Sequence, residues 1–101
     1  MNVRFKDWNC VLRFNRYVNG DTVSISLVDT VDGEPVAHAT VNIPGLDFDE
    51  VTIKDYSENI GMVETLLSAG IIEKPHRAVS SGFVIIPVAR LSAVAIASLT
   101  D

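Results

Sequence analysis

The chain has 101 residues with a formal charge of −5 at pH 7, and 48% of the residues are hydrophobic and 21% charged. This length fits one domain with a modest core, and the composition excludes intrinsic disorder. The negative charge disfavours direct binding to a nucleic-acid backbone, and no apolar run approaches the ~20 residues of a membrane span. The N-terminus lacks the apolar core of a signal peptide and Cys10 has no second cysteine to pair with, so we expect a cytoplasmic protein.

The first half of the chain is predicted to form an antiparallel meander. Residues 8–15, 23–27 and 37–43 each alternate between apolar and polar side chains, the pattern of a half-buried strand. Turns are expected at Asn19-Gly20-Asp21 and at Asp32-Gly33, with Pro35 opening the third strand. In the first strand the core-facing side chains are expected to be Trp8, Cys10, Leu12 and Phe14.

A strand, a helix and a glycine stop are predicted next. Alternation indicates a strand over 51–54, and Asp55-Tyr-Ser-Glu58 has the spacing of a capping box, with Ser57 as a rival N-cap. Apolar residues at helical spacing then predict one amphipathic helix over 56–69, with Gly61 inside it at a cost of up to ~1 kcal/mol relative to alanine. Gly70 and Ile71 fit a Schellman cap, in which Ile71 contacts Leu66.

The last part of the chain is less regular. Residues 73–82 are polar and rich in turn formers, whereas 83–88 are apolar on both faces, which suits a strand buried on both sides. Pro87 argues instead for an edge or a bulge, and that choice stays open. The tail, 91–99, fits a short helix or a strand, and its alanines favour the helix. We therefore predict a single α+β domain over 1–101, with an antiparallel sheet of about five strands in the order β-β-β-β-α-β and one helix on one face.

The residue types that usually carry chemistry do not converge in this sequence. His38 and His76 have no second ligand at metal-binding spacing, and Asp47–Glu50 resembles the opening of a calcium loop without its turn glycine or distant glutamate. The sequence has no glycine-rich loop of the kind that binds phosphate, and none of its serines or its cysteine lies in a recognisable catalytic motif. We expect a non-enzymatic protein with no cofactor and no metal.

Charge is the clearest functional signal. Between Asp21 and Glu64, ten carboxylates stand against the single Lys54, a formal charge of −9, whereas the two flanks together carry +4. Such a segment favours a partner with a basic surface, through steering and complementarity. The residues expected to contact that partner are Asp29, Asp32, Glu34, Asp47, Asp49, Glu50 and Glu58.

Several short segments resemble a family of small uncharacterised bacterial proteins carried on plasmids, conjugative elements and prophages. The likeness extends from about residue 5 to 91, and its most specific part is the run Lys54-Asp-Tyr-Ser-Glu-Asn59. The other segments are Lys6–Cys10, Asp32–Pro35, Ala39–Pro44, Gly61-Met62, Gly70–Ile72, Pro75-His76 and Ser81–Val84. This resemblance implies a context rather than an activity, since small acidic proteins of mobile elements often block host defence machinery, as anti-CRISPR proteins do.

Two functions are therefore expected from the sequence. The first is a binding protein of a phage or mobile element that inhibits a bacterial defence complex, such as a CRISPR effector, through its acidic surface. The alternative is a regulatory or structural interaction module with no defence role, monomeric or a homodimer through the edge at Phe83–Val88.

Overall fold

The computed structural model describes residues 1–18 and 22–99 and confirms the predicted α+β class. A 3₁₀ turn at Ser57–Asn59 precedes the first helix, and the second helix is the short C-terminal one favoured by the alanines of the tail. The strands and helices in chain order are β1 (Asn2–Phe5), β2 (Trp8–Arg16), β3 (Val23–Asp29), β4 (Pro35–His38), β5 (Glu50–Thr52), α1 (Met62–Ser68), β6 (Arg77–Ser81), β7 (Val84–Arg90) and α2 (Ala93–Leu99).

The strands form two antiparallel sheets rather than a single one. The first has the order β1-β2-β3-β4 and the second the order β5-β7-β6. The chain just after β4 joins them, because Val41 N donates to Thr52 O at 3.0 Å and Lys54 N donates to Ala39 O at 2.8 Å. The predicted strand over 37–43 therefore divides its pairing between two sheets. The two sheets and the two helices share one hydrophobic core. It includes Phe5, Leu12, Ile25, Ile53, Met62, Leu66, Ile72 and Ala95.

The meander of β2, β3 and β4 is as predicted, with the addition of β1, whose Val3 and Phe5 are buried. Trp8, expected in the core, pairs with Phe5 at the end of the sheet and keeps 46% of its surface exposed, because the core ends there. The predicted turn at Asn19-Gly20-Asp21 lies outside the described residues.

Pro87 occupies the middle strand of the second sheet. Its carbonyl accepts from Ile53 N at 3.0 Å, so its missing N–H falls on the β5 side, beyond the last residue of β5. The proline therefore lies where the hydrogen bonds between β7 and β5 end, and it does not interrupt those between β7 and β6. The segment predicted to be turn-rich contains β6, and Gly82-Phe83 closes its hairpin to β7. Burial on both faces is wrong for the start of this run, since Phe83 is fully exposed and Ile85 is 72% exposed.

Helix α1 begins six residues later than predicted. Gly61 has φ +99°, a left-handed conformation, so it precedes the helix instead of lying inside it. Asp55 caps α1 from a distance: its two carboxylate oxygens accept from Gly61 N at 2.8 Å and from Val63 N at 2.9 Å. The capping box with Glu58 is not formed. The Schellman cap is confirmed, since Ile71 N donates to Leu66 O at 2.9 Å behind a left-handed Gly70.

The start of α1 gives a direct test of the fold. Gly61→Ala should lower the free energy of unfolding by about 1–2 kcal/mol in urea denaturation, because a side chain disfavours the left-handed conformation. As a control, Ser68→Ala on the exposed face of α1 should change it by less than about 0.5 kcal/mol. A continuous helix through residue 61 would instead be stabilised by alanine, so a gain in stability would contradict this start.

Candidate protein-binding surface

Glu50, expected to contact a partner, is instead buried, with 3% of its side chain exposed. Arg77 binds it in two places, through Nε to Oε2 at 3.1 Å and through Nη2 to Oε1 at 2.9 Å. His76 Nε2 donates to Oε2 at 2.7 Å, and the backbone N–H of Asp47 donates to Oε1 at 2.9 Å. Four donors fill the acceptor capacity of this carboxylate, so it has no lone pair for a metal, a substrate or a partner.

The environment of Glu50 holds it in its charged form. The hydrogen bonds from the Arg77 guanidinium, the Asp47 N–H and His76 outweigh burial and lower the pKa of Glu50 to about 2. Because β5, β6 and the loop before β5 each supply part of this cluster, the carboxylate ties three segments together. Glu50 is therefore a structural residue of the second sheet.

Asp47 and Asp49 are also engaged within the protein. Arg90, at the end of β7, donates to Asp49 Oδ1 at 2.6 Å and to Asp47 Oδ2 at 3.3 Å. These contacts raise the pKa of Arg90, with the Asp47 hydrogen bond as the largest cause. The three carboxylates over 47–50 are thus engaged within the protein, with the two guanidinium groups of Arg77 and Arg90 as their cations.

His38 belongs to a hydrogen-bonded cluster on the outer face of the first sheet. Its Nδ1 lies 3.0 Å from Ser26 Oγ, and its Nε2 lies 3.1 Å from the hydroxyl of Tyr17. That hydroxyl is 2.8 Å from Thr40 Oγ1, which accepts from Ile25 N. Burial and the nearby Lys54 lower the pKa of His38, so the ring is a neutral link between strands.

The turn between β3 and β4 holds three of the predicted contact acids. Asp29 Oδ1 accepts from Val31 N at 2.8 Å and Asp32 Oδ1 accepts from Glu34 N at 2.9 Å, so two side chains fix the turn that carries them. Asp29 N also donates to Glu34 O at 2.9 Å. Asp32 and Glu34 are exposed and Asp29 is half-buried, so this turn presents carboxylates on an ordered backbone.

Exposed apolar side chains lie at the same end of the sheet. Val31, at the centre of the turn, is 91% exposed. The β1–β2 turn is adjacent, because Cys10 pairs with Asp29 and Thr30 N donates to Asn9 O at 3.0 Å. This places Trp8 near Val31. We call this area the turn surface and define it by Asp7, Trp8, Asp29, Val31, Asp32 and Glu34.

The seven predicted contact residues do not form one patch. From Pro35 to Val41 the chain runs away from the turn surface over a distance of roughly 20 Å. Val41 pairs with Thr52 in antiparallel fashion, so Glu50 lies beyond this point, at the far end. Glu58 pairs with Lys54 at 2.8 Å, and its carbonyl accepts from Nζ of Lys6, in the β1–β2 turn next to Asp7, at 2.5 Å. Sequence reasoning missed Asp7 and Trp8, since Trp8 follows the core alternation and Asp7 lies in a basic flank.

The chain matches no protein-family model, no curated protein and no solved structure. Across residues 1–18 and 22–99, no group of three metal-ligating side chains converges. Among the residues that the structure describes, no helix is long and apolar enough to cross a membrane. What the chain does is therefore inferred from its own geometry.

Glu50→Gln should lower the free energy of unfolding at pH 7 by roughly 1.5–3 kcal/mol, the range for hydrogen bonds to a charged group. The stabilising charge of Glu50 is fully present above the unfolded pKa of about 4.5 and is lost as the pH falls towards 2. The wild type should therefore lose stability over this interval more steeply than the variant. Chemical denaturation between pH 7 and pH 2 measures both effects.

The matched control for this variant is Glu73→Gln, which makes the same change at an exposed position. It should leave the stability at pH 7 within about 0.5 kcal/mol of the wild type. Equal stability and equal pH dependence of Glu50→Gln and the wild type would contradict a structural role for this carboxylate.

Proposed function

We propose that this chain is a non-enzymatic binding protein that uses the turn surface to bind a protein partner with a basic surface. The observation that carries the proposal is the arrangement of Val31 and Trp8, two exposed apolar side chains among four carboxylates. Binding sites between proteins commonly have an apolar or aromatic centre within a polar rim, and tryptophan is enriched among their strongest contacts.

The hydrogen bonds of the turn support the same proposal. Asp29 and Asp32 fix the backbone of the turn, so little conformational entropy is lost when a partner binds there. The carboxylate charge remains available for steering, since each aspartate accepts a backbone N–H with one oxygen and stays an anion. The acids of the 47–50 loop are left out of the proposed surface because Arg77, His76 and Arg90 engage them.

The resemblance to small proteins of mobile elements adds a partner class. A bacterial defence complex such as a CRISPR effector holds nucleic acid in a basic channel, and an acidic surface with an apolar centre fits the mouth of such a channel. The proposal therefore extends to inhibition of a defence complex by a cytoplasmic protein of a phage or mobile element. The inhibitor would occupy the channel in place of nucleic acid.

The test is binding to purified CRISPR effector complexes, measured by biolayer interferometry at low and at high salt. The variant Asp32→Asn with Glu34→Gln removes two charges, while the amide oxygen that replaces the Asp32 carboxylate still accepts the hydrogen bond of the turn. We expect its Kd to be roughly ten-fold weaker than that of the wild type at low salt, with a smaller loss of affinity on adding salt.

The control variant, Glu64→Gln with Glu73→Gln, removes the same charge from exposed positions outside the turn surface and should bind like the wild type. Val31→Ser should weaken binding at every salt concentration, since it removes apolar contact and no charge. Equal losses in the two paired variants would mean that total charge, not the turn surface, determines binding. Failure of every effector complex to bind would exclude this partner class.

A further inference from the structure

Strand β6 is the free edge of the second sheet. It pairs with β7 on one side, and the sheet order β5-β7-β6 leaves its other side open. Its sequence, RAVSS, lacks the proline and lysine residues that commonly protect an edge from pairing. Arg77, its one charged residue, has its guanidinium bound to Glu50.

The register of the hairpin shows which backbone groups are open. A hairpin closed by two residues makes Ser81 and Val84 a pair that exchanges both hydrogen bonds, and the pattern then alternates along the strands. Consequently Arg77, Val79 and Ser81 direct their N–H and C=O groups towards β7. The N–H and C=O groups of Ala78 and Ser80 point outwards from the edge.

We propose that a second copy of this chain pairs with β6 about a two-fold axis at Val79. Antiparallel pairing centred there places Ala78 of each copy opposite Ser80 of the other, and the outward groups of both residues then form four intermolecular hydrogen bonds. Arg77 comes to lie opposite the uncharged Ser81 of the second copy. The strand can thus form backbone hydrogen bonds with a second copy of itself, and no like charges lie opposite each other.

The side chains next to the edge favour the same occupant. Ile85, 72% exposed, pairs with Ser80, and Ala78 pairs with Pro87. In the two-fold arrangement the pairs of the two copies line up across the joined sheet. Each line of side chains runs from Ile85 to Ser80 of one copy and on to Ala78 and Pro87 of the second copy. Each exposed isoleucine then lies on a continuous face formed by β7 and β6 of both copies, on which cross-strand neighbours can contact one another.

Sedimentation equilibrium of the purified chain should show a mass that rises with concentration to twice that of the monomer. Ser80→Pro removes an N–H that has no partner within the hairpin but that donates in the dimer, and proline is tolerated at such an edge position. It should weaken dimerisation at least ten-fold while the circular dichroism spectrum stays unchanged. Arg4→Pro, at the outer edge of β1, is the matched control and should leave dimerisation unchanged.

A crosslinking variant keeps the test independent of how Ser80→Pro folds. Val79→Cys places two thiols opposite each other at the axis and should give a disulfide-linked dimer when oxidised glutathione is added as the oxidant, whereas Ser81→Cys places them far apart and should not. Cys10 is buried with a raised thiol pKa and stays out of the reaction.

Three results would overturn the proposal: a monomer at millimolar concentration, a dimer that is equally stable with Ser80→Pro, or equal crosslinking at residues 79 and 81. Binding through the turn surface does not require β6, so Ser80→Pro should still bind any partner of that surface. The two proposals can therefore fail separately.

Discussion

The second sheet depends on the hydrogen bonds and ion pairs of the buried Glu50 carboxylate. This carboxylate brings His76 and Arg77 at the start of β6 against β5 and holds the preceding loop through the N–H of Asp47. A carboxylate removed from water is stable only if its oxygens are satisfied, and here four donors satisfy them. The same cluster separates the acids of the chain into two groups, because the acids of the loop that holds Glu50 are paired within the protein.

The second constraint is the path of the chain after the β3–β4 turn. Residues 35–41 pair first with β3 and then with the segment 52–54, so they join the two sheets and separate the turn surface from the Glu50 cluster. The acidic middle of the sequence thus divides into a structural part and an exposed part. The exposed part lies beside Trp8 and Val31, and it is this combination of charge and apolar surface that favours a protein partner.

Local signals in the sequence predicted the local structure well. The alternation of apolar and polar residues predicted β3, and Gly70 followed by Ile71 predicted the Schellman cap. Both features depend only on residues that are neighbours in the sequence. The errors came from contacts between distant positions. Asp55 caps α1 six to eight residues away, and the partners of Glu50 at 76 and 77 lie 26 and 27 residues along the chain. Nothing in the spacing of the acids distinguishes a buried carboxylate from an exposed one, so the seven predicted contacts could not be sorted without the structure.

The division of the acids into these two groups is tested most directly by adding an arginine-rich peptide to ¹⁵N-labelled protein and following the amide signals by NMR. Free carboxylates bind such a peptide, whereas carboxylates already paired with arginine do so poorly. We expect the largest shifts at residues 29–34 and at the indole of Trp8, with small shifts over 47–50. Largest shifts over 47–50, with an unperturbed turn, would contradict the assignment of the turn surface as the binding site.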